Sequence, residues 1–134
     1  MILDSSYLFD LMGSNEAAFR KGVDLVERGE MQWLPTPVIA EAFYGARTAR
    51  SDTTTADVRN RLLGYPRIAV DEEVARTAGR LLAAADDAAG GESGVGLQDA
   101  YVGAMAEILD DAVLTENLED FEALGVRVEP YADA

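Results

Sequence analysis

Met1-Ile2-Leu3-Asp4-Ser5-Ser6-Tyr7-Leu8-Phe9-Asp10-Leu11-Met12 opens the chain and carries the pattern that the remaining residues repeat. Three consecutive apolar residues suit a buried strand, and Asp4 ends the run abruptly. Ser5 and Ser6 come next, and residues 7–12 then suit a short helix. A strand that meets an acid at its end and turns at once into a helix is the start of a βα unit.

The same alternation continues. Residues 16–27 have helical apolar spacing through Phe19, Val23 and Val26, and Gly29 stops that helix. Residues 31–34 read as a second strand bounded by Pro35. Thr36 can cap a helix with Pro37 at its first position, running through Glu41 and Tyr44 to about Thr48. Ser51-Asp52-Thr53 opens a fourth helix over about residues 54–63. Residues 67–70 are a third strand, and Asp71-Glu72-Glu73 places negative charge at the start of a long helix reaching about Ala88. Residues 89–96 are glycine-rich and form the one obvious flexible loop. A helix over 97–109, a strand over 112–114, a short helix over 118–123 and a strand over 127–129 complete the chain.

Strands alternating with helices imply parallel βαβ units with helices covering both sheet faces, within one domain of 134 residues. Such sheets place their sites beyond the carboxyl ends of the strands. Asp4 and Thr115 stand at two such ends.

Composition narrows the chemistry. Cysteine and histidine are absent, which excludes disulfides, thiolate metal sites, serine–histidine dyads and ordinary zinc chemistry. Lys21 is the sole lysine, so no GK[ST] phosphate loop exists. Carboxylates, hydroxyls, amides and arginines remain. The net charge of −14 argues at first against a nucleic-acid partner. Acids outnumbering bases two to one, with arginine in place of lysine, also describes a surface suited to a high-salt, haloarchaeal-like cytoplasm. The charge is read as a mark of habitat. With no signal peptide and no apolar run of membrane-spanning length, a soluble cytoplasmic protein with no membrane partner is expected.

Four acids stand out. Asp4 ends a strand, though it could simply cap the next helix. Glu41 has no charged neighbour three or four residues away on its helix, so it either reaches the rim or is held by a partner. Asp99 occupies the first turn after the glycine-rich loop, where a helix N-terminus favours a carboxylate. Asp120 follows the fourth strand closely, in a stretch where Asn117 reads as a helix cap. Carboxylates that converge without basic partners repel one another, and a hard dication relieves them. Magnesium or manganese suits a site of oxygen donors alone and can activate water for phosphodiester cleavage.

With these residues in place, the chain resembles the PIN-domain family, and within it the VapC toxins of toxin–antitoxin pairs. The resemblance rests on Met1-Ile2-Leu3-Asp4-Ser5-Ser6-Tyr7-Leu8, on Pro37 to Ala46 around Glu41, on Gln98 to Ala106 around Asp99, and on Leu114-Thr115-Glu116-Asn117-Leu118-Glu119-Asp120-Phe121. Gly125-Val126-Arg127-Val128 resembles the final strand. It implies a three-layer α/β/α sandwich with a five-stranded parallel sheet. It also implies a Mg2+- or Mn2+-dependent endoribonuclease that cuts RNA, forms a homodimer and is checked by a cognate VapB-type antitoxin. By position, Asp4, Glu41, Asp99 and Asp120 become catalytic and metal-site carboxylates. Asn117 becomes a further metal or water ligand, and Ser6 and Thr115 supporting hydroxyls. Arg47 and Arg50 are candidate RNA contacts but fit surface charge better; Tyr44 could stack on a base, although core packing is the simpler expectation. Two alternatives are a PIN-like module that binds without cutting and a small phosphohydrolase. Against the latter, Asp4 is followed by Ser5-Ser6 and not by a second acid.

Overall fold

Ile2 and Leu3 are fully buried and form β1 (Ile2–Leu3) in a computed structural model, which describes residues 1–48 and 54–132. β1 pairs in parallel with β4 (Val113–Leu114), Ile2 against Val113 and Leu3 against Leu114. β4 pairs in parallel with β5 (Val128–Glu129). A second parallel pair joins β2 (Leu34–Pro35) to β3 (Arg67–Ile68).

One parallel bridge, Ile2 to Trp33, connects the two pairings. The Trp33 N–H donates to the Met1 carbonyl and the Leu3 N–H to the Trp33 carbonyl, each at 2.9 Å. The next bond of such a ladder would come from residue 35. Pro35 has no N–H to donate, so the ladder stops there. The expected single sheet of five strands is accordingly a three-stranded sheet, order β1-β4-β5, beside a two-stranded one. Strands expected over residues 31–34 and 67–70 shrink to two residues each, and Pro35 lies inside β2 instead of bounding it.

The helices are α1 (Ser5–Met12), α2 (Glu16–Glu27), α3 (Thr36–Thr48), α4 (Thr55–Leu62), α5 (Glu72–Ala88), α6 (Leu97–Ile108) and α7 (Leu118–Ala123). Thr36 is the first residue of α3 and not a cap ahead of it. Thr54 and Asp57 close a reciprocal capping box on α4, while the proposed opening at Ser51-Asp52-Thr53 lies outside the described residues, as does Arg50. Asp71 caps α5 by accepting the Val74 N–H. Gly29, at φ +70°, ends α2 in a conformation that only glycine adopts cheaply. The glycine-rich loop is tied down: Asp86 accepts from the Ser93 N–H at 2.9 Å and from its hydroxyl at 2.6 Å.

α6 is the buried helix. Ala100, Val102, Gly103, Ala104, Met105 and Ala106 are all enclosed, so it is apolar on nearly every side after its first turn. A Cβ on Gly103 would stand 3.1 Å from Leu124, just past α7, so the missing side chain lets those two segments approach. Asp99 is thereby held at the mouth of a helix that cannot turn away.

α2 departs from its sequence pattern. A stripe at the spacing of Phe19, Val23 and Val26 ordinarily faces a core. Here Phe19 is 64% and Val26 70% exposed, and α2 buries Ala18 and Leu25. Ala18, Gly22 and Leu25, each one residue before a member of that stripe, share the adjoining face, and a Cβ on Gly22 would lie 2.9 Å from the Tyr7 hydroxyl. Close approach to α1 selects the small-residue face, leaving the larger apolar stripe outside.

Candidate active site

Asp4 follows β1 at the N-cap position of α1, with extended backbone (φ −85°, ψ 159°), yet its side chain makes no capping bond. The carboxylate is only 4% exposed and is engaged elsewhere. Thr115, fully buried at the end of β4, donates its hydroxyl to Asp4 Oδ2 at 2.7 Å. Ser6 donates to the same oxygen at 3.0 Å, and the two hydroxyl oxygens are 3.2 Å apart. β1 and β4 are sheet neighbours, which brings residues 111 positions apart into contact. A buried carboxylate needs such donors, because an unmatched charge there would cost several kcal/mol.

Asn117, expected to cap α7, holds the N-cap position but makes no side-chain cap. Its N–H donates to Thr115 Oγ1 at 2.9 Å, fixing the turn. Its amide nitrogen donates to Asp99 Oδ2 at 3.3 Å and to Asp120 Oδ2 at 3.1 Å, so the side chain bridges two acids from α6 and α7.

Electrostatics tie in the rest. Asp99 is pushed up to about 6, chiefly by burial, then by the charges of Asp4, Asp120 and Glu41 and by a hydrogen bond with Asp120. Glu41 on α3 is raised by burial and by Asp4, with a Ser5 hydrogen bond opposing. Among the described residues, no cation enters the balance at Asp99 or Glu41. The four acids named from the sequence therefore sense one another across α1, α3, α6 and α7. Among the described residues, no three acidic side chains stand ready as a group that could hold a metal ion. The fit to a hard dication is thus one of charge and donor type: a crowded set of oxygen donors that no cation among the described residues offsets at Asp99 or Glu41.

Tyr44 does not pack in the core. It is 72% exposed and lines a cleft of about 520 Å3 with Phe9, Glu41 and Gln98. The core position is taken by Ala42, on the opposite side of α3. Arg47 is exposed in the last turn of the same helix.

Two residues near the site escape sequence reasoning. Tyr131 stacks edge-on against Tyr7, ring centroids 5.3 Å apart, and donates its hydroxyl to Asp10 at 2.5 Å. Glu116 accepts the Tyr131 and Ala132 N–H groups. The available signal is slight: a lone aromatic two positions past a strand, in Glu129-Pro130-Tyr131.

Taken together, this is an α/β protein whose parallel strands lead into an acid-lined site. The PIN domain family model matches residues 1–126, and the chain belongs to that family. Among solved structures, it is similar to FitAcB from Neisseria gonorrhoeae (20% identity, TM-score 0.78, 95% of this chain and 94% of that one). DNA-bound VapBC from Salmonella typhimurium matches at 21% identity and TM-score 0.78, over 98% of this chain and 97% of that one. VapBC2 from Rickettsia felis, bound to a DNA fragment from its promoter, matches at 14% and 0.79, over 98% of each chain. At such identities the likeness is one of fold. No curated protein matches the chain. Among the described residues no helix is long and apolar enough to cross a membrane.

Proposed function

We propose that this protein is a divalent-metal-dependent endoribonuclease and the toxin of a VapBC-type pair. The observation that carries this reading is the elevation of Asp99 to about 6 by burial and by three other carboxylates, with no cation among the described residues opposing it. Such repulsion has a physical use if an ion relieves it.

Asp4, Glu41, Asp99 and Asp120 would hold Mg2+ or Mn2+, with Asn117 as a further oxygen donor. Bound there, the ion would supply an activated water and charge stabilisation for cleavage of an RNA phosphodiester. Ser6 and Thr115 both donate to Asp4 Oδ2, which holds that oxygen in place. Asn117 orients Asp99 and Asp120 together. Exposed Tyr44 offers a face on which a base can stack, and Arg47 a charge for the RNA backbone.

The apolar stripe on α2 supports a protein partner. Phe19, Val23, Val26, Met31 and Leu63 line a groove of about 780 Å3 and are all substantially exposed. We assign it to the antitoxin; a homodimer would use another face. The similar VapBC structures are solved as complexes with DNA, a setting that agrees with a chain working beside a partner.

Purified protein should cleave RNA in molar KCl with Mg2+ and lose the activity in chelator. Asp4→Asn and Asp99→Asn should each cut at least about 100-fold more slowly. A silent binding module draws support from the lack of a ready-made three-acid group among the described residues. RNA bound but uncut under all metal conditions would establish that reading instead.

A further inference from the structure

The turn that presents Thr115 and Asn117 is clasped from outside. Glu116 lies between them, and its Oε1 accepts the Tyr131 N–H at 2.6 Å and the Ala132 N–H at 2.5 Å. Its own N–H points to Ser6 Oγ at 3.4 Å, so one residue touches both the tail and the hydroxyl that serves Asp4. The Thr115 N–H is bonded in turn to the Glu129 carbonyl at 3.2 Å, the last strand before the tail. Tyr131 anchors the clasp: its ring is buried against Tyr7, and its hydroxyl donates to Asp10 on α1. The tail thus spans from α1 to the 115–117 turn, the two segments whose hydroxyls meet on Asp4.

We infer that Glu116 is a positioning residue, whose carboxylate oxygen grips the tail at Tyr131 and Ala132 and thereby fixes Thr115 and Asn117 on the site acids. The gripped residues, Tyr131 and Ala132, follow residue 126, where the match to the family model ends. Glu116 itself is exposed and bonds to no other site acid among the described residues, so its work is done through its neighbours. This inference rests on the acid site being the cation-binding site.

Reach and charge can be separated. Glu116→Gln keeps an acceptor oxygen at the same distance and removes the charge. Glu116→Asp keeps the charge but is one methylene too short to reach the tail. Mn2+ binding, followed by titration calorimetry on the full chain, should stay within about twofold of wild type in Glu116→Gln. In Glu116→Asp it should weaken by about tenfold or more, the usual cost of losing an outer hydrogen bond to a ligand set. Amide exchange at Tyr131 and Ala132 should accelerate in Glu116→Asp only. If Glu116→Gln loses Mn2+ as severely as Glu116→Asp, the charge matters and Glu116 is a ligand, which overturns the inference. If Glu116→Asp frees the two amides yet binds Mn2+ normally, the tail does not position the site, and the inference is equally overturned. Wild-type protein that binds Mn2+ but cuts no RNA defeats the nuclease reading while leaving this one standing.

Discussion

Thr115 donates its hydroxyl to Asp4 Oδ2 at 2.7 Å, across 111 positions of sequence and one strand-to-strand step of the sheet. The bond is buried, so its loss has a clear sign. Thr115→Val keeps the shape but leaves Asp4 short of a donor, and should destabilise the protein by about 1–3 kcal/mol. Thr115→Ser should recover most of that. Urea unfolding of both variants is the measurement; a neutral Thr115→Val would contradict the buried pairing.

Asp99→Asn should make the metal-free protein more stable while abolishing catalysis. The amide removes a charge that Asp4, Asp120 and Glu41 oppose, and can still accept the Asn117 bond. A gain of about 2–5 °C in melting temperature is expected in chelator. A drop instead would mean that the acids do not repel as described.

The pH dependence of that gain has a definite direction. Asp99 sits at about 6 in the folded protein against the ordinary 3.8. Between those values the folded state holds a proton that the unfolded chain has released. Stability from this group is therefore present at low pH, lost as pH rises through about 6, and constant above. Glu41 is shifted in the same direction. The advantage of Asp99→Asn over wild type should be full at pH 8 and gone near pH 4, in thermal melts without metal. Mg2+ at pH 8 should raise the wild-type melting point and leave Asp99→Asn nearly unmoved.

Tyr7→Phe should be neutral or stabilising by up to about 1 kcal/mol. The Tyr7 ring is fully buried, and its hydroxyl is a buried polar atom without a hydrogen-bond partner among the described residues. Burial, with a smaller contribution from Tyr65, lifts its ionisation to about 12. Gly22→Ala, by contrast, would place a Cβ 2.9 Å from that hydroxyl and should cost about 1–3 kcal/mol. Removing the hydroxyl in the double variant should restore part of the loss; full additivity of the two changes would argue that they do not touch.

Phe19→Glu with Val26→Glu should shift unfolding by no more than about 1 kcal/mol, because both side chains already face water. The same pair should abolish co-purification with the cognate antitoxin. Retained binding would move the partner to another face.

Several features were legible locally. The βα alternation, the stop at Gly29 and the negative charge at the start of α5 could be read from short stretches, since each depends on neighbours within a turn or two. The acids drew notice because Glu41 and Asp99 lack charged partners on their own helices. Other features were not local. Nothing near Asn117 says that its amide will bridge two carboxylates instead of capping, and nothing near Phe19 says that the smaller face of α2 will win the core. The sheet's interruption was written at Pro35, but only once the register placed that residue where an N–H was due.

Sequence alone determined the chemistry available: with no cysteine or histidine and one lysine, any site had to be built from oxygen donors, and its acids were countable in advance. Tertiary structure decided which oxygens meet. The parallel pairing of β1 with β4 put Thr115 on Asp4, α6 brought Asp99 to the Asn117 amide, and the tail reached back to Glu116. Residue types set what bonds a side chain can form, whereas long-range packing sets which partner arrives within about 3 Å, and no local stretch contains that information.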